Sequence, residues 1–349
     1  MKYEEERRYL GNMSQLFRVN EYRMIGGRGD GIHAFDVRNG AEMDFTCVAD
    51  RCMDIHYLRY RGHNLGFLTS AGDVAPQYYD DKEFGWLKSF TAGFMTTCGL
   101  KTIGLPSYYN GRHYGIHGRI GNAPAQFASA TVRELQQGPM AQLHGVMQDS
   151  LPGSETLTLA RTINTSYKDN RIYINDIVKN IGYQKSMHML LYHFNIGYPL
   201  LSENSMLYIP SAHMAPRDDN AAAHMTESNL FIKPMDDFKE MCYYHKLKTD
   251  SNGKTFVAIF NPDINAGVAI HFDTLVLDHF VQWRQLGSGY YTTGLEPCNA
   301  TIDGVEDAIN NGTMKYLEPN QEIQYNITIE LLGNQKSYNE LVAKGENYV

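Results

Sequence analysis

Apolar and polar residues alternate, or gather in short β-rich runs, along most of the chain. A period of two marks strands rather than helices. Such runs occur at Thr156 to Ile163, Arg171 to Val178, Met187 to Phe194, Thr255 to Phe260, Gly267 to Phe272, Phe280 to Trp283, Tyr290 to Leu295 and Ile323 to Leu332. Asn, Gly, Asp and Pro turns separate them, a spacing that predicts a sandwich or barrel rather than βαβ units. Asn20 to Asp50 reads as further short strands, with Gly26, Gly27, Gly29 and Gly31 placed for tight turns. Helix is predicted only around Glu4 to Val19, Lys336 to Ala343 and Val305 to Asn310. No linker, low-complexity tract or solenoid repeat interrupts Arg18 to Leu332. The expectation is therefore one all-β domain over residues 1–349, with 1–19 as a helical or extended lead-in.

Composition changes this picture little. At 43% hydrophobic and 20% charged residues the chain can bury a substantial core. A formal charge of -8 disfavours nucleic acid as a partner. The 24 Tyr and 15 Phe suit sheets and sugar-binding faces alike. Cys47, Cys52, Cys98, Cys242 and Cys298 are scattered without C-x-x-C spacing, which fits a reducing compartment. The first ten residues carry Glu4, Glu5, Glu6, Arg7 and Arg8 rather than the apolar stretch of a secretory signal, and no apolar run is long enough for a membrane span. A cytoplasmic protein that engages no membrane is expected. Gly27-Arg28-Gly29 lacks the rest of a G-x-G-x-x-G loop, so nucleotide binding is not expected there.

Three segments place titratable side chains in apolar surroundings. Tyr114 to Asn122 carries His117 and Arg119, two residues apart and so on one face if the chain is extended; a loop histidine bonded to backbone is the alternative. Met187 to Leu201 carries His193 near the end of a strongly apolar strand, with Asn195 on the same face; a satisfied core histidine is the alternative. Tyr290 to Asn299 carries Glu296 after a β-rich run. A buried carboxylate there would have a raised pKa, as a general base needs, whereas Pro297 also permits a surface turn.

Together these segments resemble the aldose 1-epimerase (galactose mutarotase) family. His117-Gly118 with Arg119 is similar to its H-G segment, Tyr192-His193-Phe194-Asn195 to its H-x-Y-F-N-L strand, and Leu295-Glu296-Pro297 to its L-E-P segment. Asp307-Ala308-Ile309-Asn310 and Leu317 to Tyr325 continue the likeness, which covers roughly Arg112 to Leu332. Cys298 stands where the family has Gln, and Ala49 to Ile55 resembles a less characterised branch. The resemblance implies a large galactose mutarotase-like β-sandwich (supersandwich) with few short helices, acting on a monosaccharide.

It also implies mutarotation by acid and base through the open-chain aldose, with Glu296 taking the O1 proton and His193 protonating the ring oxygen. No cofactor or metal is required. His117 and Arg119 would bind hydroxyls or stabilise developing charge. Arg51, Gln282, Asn195 and His245 are further substrate-contact candidates, Arg51 being equally explained by pairing with Asp50 or Asp54. Asp236, Asp237 and Asp263 lie where galactose-specific members carry an Asp, but no motif selects one. Two rivals stand beside this reading. One is a sugar-binding protein without catalysis, which has no need of an acid opposite a base. The other is a metal-dependent isomerase, disfavoured because His113 and His117 lie in a Gly-rich, non-helical stretch. Nothing in the sequence indicates the oligomeric state.

Overall fold

In Thr156–Ser166 every second residue is buried, and Gly138–Ser150 follows nearly the same pattern. Side chains of period two can cover a core on one face only, so these strands lie side by side in a half-buried sheet. The computed structural model, which describes residues 3–349, places them in an eight-stranded antiparallel sheet. Its order is Phe127–Leu135, Gly138–Ser150, Thr156–Ser166, Arg171–Asn180, Glu322–Leu332, Ala266–Asp273, Lys254–Asn261 and Met206–Tyr208. A five-stranded sheet from Arg18–Arg23 to His63–Asn64 adds Phe35, Val37, Phe45, Ile55 and Leu58 to the same core.

The third large sheet runs Ser211–Pro216, Met241–Leu247, His279–Gly287, Tyr290–Cys298, Ser186–Gly197 and Lys315–Leu317, with Met95–Leu100 also paired to Ser186–Gly197. Ser186–Gly197 is buried at every position because both its faces are covered. Leu190, Tyr192, Phe194 and Ile196 join the main core, while Met187, Met189 and Leu191 join a second cluster on the opposite face with Trp86, Phe90 and Trp283. The odd-numbered face, which carries His193, is thus turned away from the main core.

Arg161 is wholly buried and ties the layers together. Its guanidinium donates to both oxygens of Asp176 at 2.9 and 2.6 Å, to Asp54 at 2.6 Å, to the Thr97 hydroxyl at 2.9 Å and to the Cys52 carbonyl at 3.1 Å. The Tyr192 hydroxyl donates to Asp176 at 2.7 Å. A charge this deep persists only when its donors and its counter-charges are matched.

The architecture is the expected all-β sandwich with few helices. Val305–Asn310 is a helix, and the C-terminal helix spans Gln335–Glu346, capped by the Asn334 side chain accepting from the Ser337 N–H. The predicted helix over Glu4 to Val19 is corrected: only Tyr3–Arg7 is α-helical, and Arg18–Arg23 pairs with His33–Arg38 as a strand. The ladder takes only Arg18 and Val19 of that segment; before it, Met13–Gln15 forms a 3₁₀ turn capped by the Asn12 side chain, which accepts from the Ser14 N–H. Among the described residues no helix is long and apolar enough to cross a membrane.

Candidate active site

Leu191 faces Cys298 and Phe194 faces Leu295 across neighbouring antiparallel strands. That register sets His193 opposite Glu296, both on the face away from the main core. Their Nε2 and Oε1 atoms lie 3.3 Å apart, with the residues only 5% and 2% exposed. The strand continues through Pro297 to Cys298, so Glu296 is not in a surface turn. Gly294, two residues earlier on the same face, makes room for the carboxylate: a Cβ there would collide with Glu296 Oε1.

Burial pushes the Glu296 carboxyl up to about 8, with the nearby Glu240 carboxylate adding to the rise and Arg217 opposing it. Burial, and then His117, hold His193 well below the usual histidine value. The 3.3 Å contact could be drawn as an ion pair, but Glu296 Oε1 and His193 Nδ1 have no hydrogen-bond partner among the described residues to offset desolvation. Removal from water favours the neutral form of each group, a carboxylic acid against an uncharged imidazole.

His117 reaches the same place by another route. It sits in a turn with φ of 58°, followed by Gly118 at 69°. The Gly104 N–H donates to His117 Nδ1 at 3.3 Å, while the His117 N–H donates to the Gly104 carbonyl at 2.9 Å. With Nδ1 accepting, the neutral ring carries its proton on Nε2. Burial, and then Arg217, keep it neutral by lowering its pKa to about 4. Its ring centroid is 5.7 Å from that of His193 and 4.8 Å from that of Trp86.

These three groups line a cavity of about 420 Å³, within the range of small-molecule sites. Trp86, Phe90, Trp283 and Tyr290 supply aromatic walls, and the His193 ring packs 5.4 Å from Trp283 and 5.7 Å from Phe90. Arg217 and Glu240 also line it, 3.7 Å apart, and Trp283 Nε1 donates to Glu240 at 3.0 Å. Sequence reasoning missed Arg217, Glu240 and Trp86, which lie outside the three motif segments and are brought in by tertiary packing.

A family model described as a domain of unknown function, DUF4432, matches residues 29–331. The chain belongs to that family. No curated protein matches this DUF4432 chain. Among solved structures, a candidate aldose 1-epimerase from Klebsiella pneumoniae subsp. pneumoniae MGH 78578 is 23% identical, with a TM-score of 0.91 over 96% of this chain and 91% of that one. A galactose mutarotase-like protein from Clostridium acetobutylicum is 14% identical (TM-score 0.63, covering 91% and 99%). A galactose 1-epimerase from Lactobacillus acidophilus is 12% identical (TM-score 0.60, covering 90% and 98%). The DUF4432 chain therefore has the galactose mutarotase-like fold.

The other residues singled out from the sequence do not line the His193–Glu296 cavity. Arg51 pairs with neither Asp50 nor Asp54 through a hydrogen bond; its guanidinium donates to the Gly121, Val74 and Ser89 carbonyls at 2.8 to 2.9 Å. Arg119 is not on one face with His117, because the intervening turn breaks the extended chain; it pairs with Asp149 in a second cavity. Gln282 lies on the opposite face of its strand from Trp283, donating to the Ser228 carbonyl at 2.7 Å and meeting His245 at 3.2 Å. Of the strand Met241–Leu247, Cys242 lines the cavity and His245 does not. Asn195 donates to the His193 carbonyl at 3.0 Å. Asp236, Asp237 and Asp263 are likewise not among the lining residues.

Proposed function

We propose that this chain is an aldose 1-epimerase that interconverts the α and β anomers of a monosaccharide through its open-chain form. What carries the reading is the pair of buried groups, His193 and Glu296, 3.3 Å apart at an aromatic-walled cavity. Ring opening removes the O1 proton, breaks the bond from C1 to the ring oxygen and puts a proton on that oxygen. It therefore needs one group that accepts and one that donates. His193 and Glu296 hold one such proton between them. From the neutral pair, Glu296 donates to the ring oxygen and His193 takes the O1 proton; from the imidazolium–carboxylate form the roles are those implied by the family resemblance. Bond rotation and reclosure on the other face run the transfers backwards and return the pair to its starting state.

His117, neutral and with its proton on Nε2, would donate to a substrate oxygen as charge builds on it. Trp86 and Trp283 offer faces for sugar C–H groups. Arg217 and Glu240 remain for hydroxyls. The names of the structural relatives support a sugar as the substrate, and the whole chain acting as a single cytoplasmic unit belongs to the same reading.

Anomer exchange measured by NMR saturation transfer over a panel of aldoses tests it. Wild-type protein is expected to accelerate exchange of at least one aldose, and Glu296→Gln to lower that rate by about 10²–10⁴. Binding of an aldose with no exchange above buffer would make the protein a sugar binder and refute catalysis.

A further inference from the structure

Behind the His117 turn lies a second cavity of about 220 Å³, room for several waters or a small organic ion. Lys101, Arg112 and Arg119 line it with His113, facing the acidic residues Asp81 and Asp149. Part of this charge is already paired. Arg119 is held by Asp149 and the Ser150 carbonyl, and Arg112 donates to Glu155 at 3.0 Å and to Ser154 at 3.3 Å. Lys101 differs. It is 3% exposed, and the nearest carboxylate, that of Glu155, is 3.6 Å away and shared with Arg112. Its Nζ has no hydrogen-bond partner among the described residues, and neither does the equally buried Thr102 Oγ1. An ammonium has three donors and a guanidinium five, none of them accepting, so the cavity presents more donors than acceptors. A tetrahedral oxyanion brings several acceptor oxygens to the two buried groups left without a hydrogen-bond partner, Lys101 Nζ and Thr102 Oγ1.

We propose that this cavity binds a phosphate group, with Lys101 and Thr102 as its buried donors and the guanidinium donors of Arg112 and Arg119 not taken by Glu155 and Asp149 completing the set. The site adjoins the proposed catalytic one. Gly118 lines it, and a Cβ there would strike the carbonyls of Gly99 and Thr102, so the Lys101-Thr102 segment packs directly on the turn that carries His117. The same segment leads into Gly104, whose N–H fixes the His117 tautomer. Phosphate binding is thereby sensed at His117.

Calorimetric and NMR titrations of the full chain in a buffer free of oxyanions test this, with inorganic phosphate, glucose 6-phosphate and acetate as separate arms. Saturable binding of a phosphate arm is expected, weakened at least tenfold in Lys101→Met and accompanied by a shift of the His117 ring signals. Whichever phosphate arm binds more tightly tells free phosphate from a monoester. Lys101→Met removes a buried charge while keeping the length of the chain, and Thr102→Val, also expected to weaken binding, serves if that variant does not fold. The proposal is overturned if neither phosphate arm saturates, if acetate binds as tightly, if the folded variants bind like wild type, or if His117 does not respond.

Discussion

Replacing Glu296 by Gln should stabilise the protein, and more so as pH rises. The carboxyl goes from 4.5 in the exposed state to about 8 in the fold, chiefly through burial, and each pKa unit is worth about 1.4 kcal/mol. The sign follows from proton counting. Between pH 4.5 and 8 the unfolded chain has lost this proton and the native chain keeps it, so unfolding releases a proton and native stability falls as pH rises. The loss attributable to Glu296 is under about 1 kcal/mol at pH 5, about 3 at pH 7 and about 4 at pH 8. Gln has no proton to lose, so Glu296→Gln escapes this penalty. His193 acts in the opposite sense: its depressed pKa costs stability as pH falls below its ordinary value of 6.5. That cost is common to both proteins and cancels in the difference between them. Urea unfolding of wild type and variant at pH 5, 7 and 8 provides the comparison. A difference that does not change with pH, or a variant less stable at pH 8, would mean that Glu296 is ionised and well partnered in the fold, and the neutral-pair argument would fail.

Gly294→Ala should leave the protein folded but abolish anomer exchange, because the added methyl occupies the space of the Glu296 carboxyl; exchange at the wild-type rate would refute this. Arg161→Leu strands two buried carboxylates, Asp54 and Asp176, and should cost about 3–5 kcal/mol in denaturant unfolding; a loss under 1 kcal/mol would show that the network contributes little. His117 should remain neutral with its proton on Nε2 down to about pH 4. Long-range ¹H–¹⁵N correlation spectra report the tautomer directly, and a midpoint near 6.5 would place the ring in water instead.

The strands were legible where one residue in two is apolar or where a run is wholly apolar, as in Thr156–Ser166 and Ser186–Gly197. Phe127–Leu135 was not, because its residues are intermediate or exposed and it belongs to the sheet through its ladder with Gly138–Ser150. The same limit applies at the site. His193 and Glu296 stand out as polar residues in apolar runs, and strand periodicity puts each on a definite face. Periodicity does not say which face meets the cavity, so Gln282 stands as a contact candidate until the sheet has a core on one side. His117 and Arg119 part company because a left-handed turn, not an extended strand, joins them. Arg217 and Glu240 have no local signature: a 3.7 Å pairing beside a distant histidine is a property of the assembled chain.

The spacing between His193 and Glu296 is set by two strands in the middle of a sheet, whereas much of the surrounding wall comes from the stretches at residues 69–90 and around Arg217 and Glu240. On the proposed function, chemistry and selectivity thus reside on separable parts of the molecule. The stretches that form the wall can be rewritten, in nature or by design, to admit a different guest while the distance over which a proton must travel stays as the ladder fixes it.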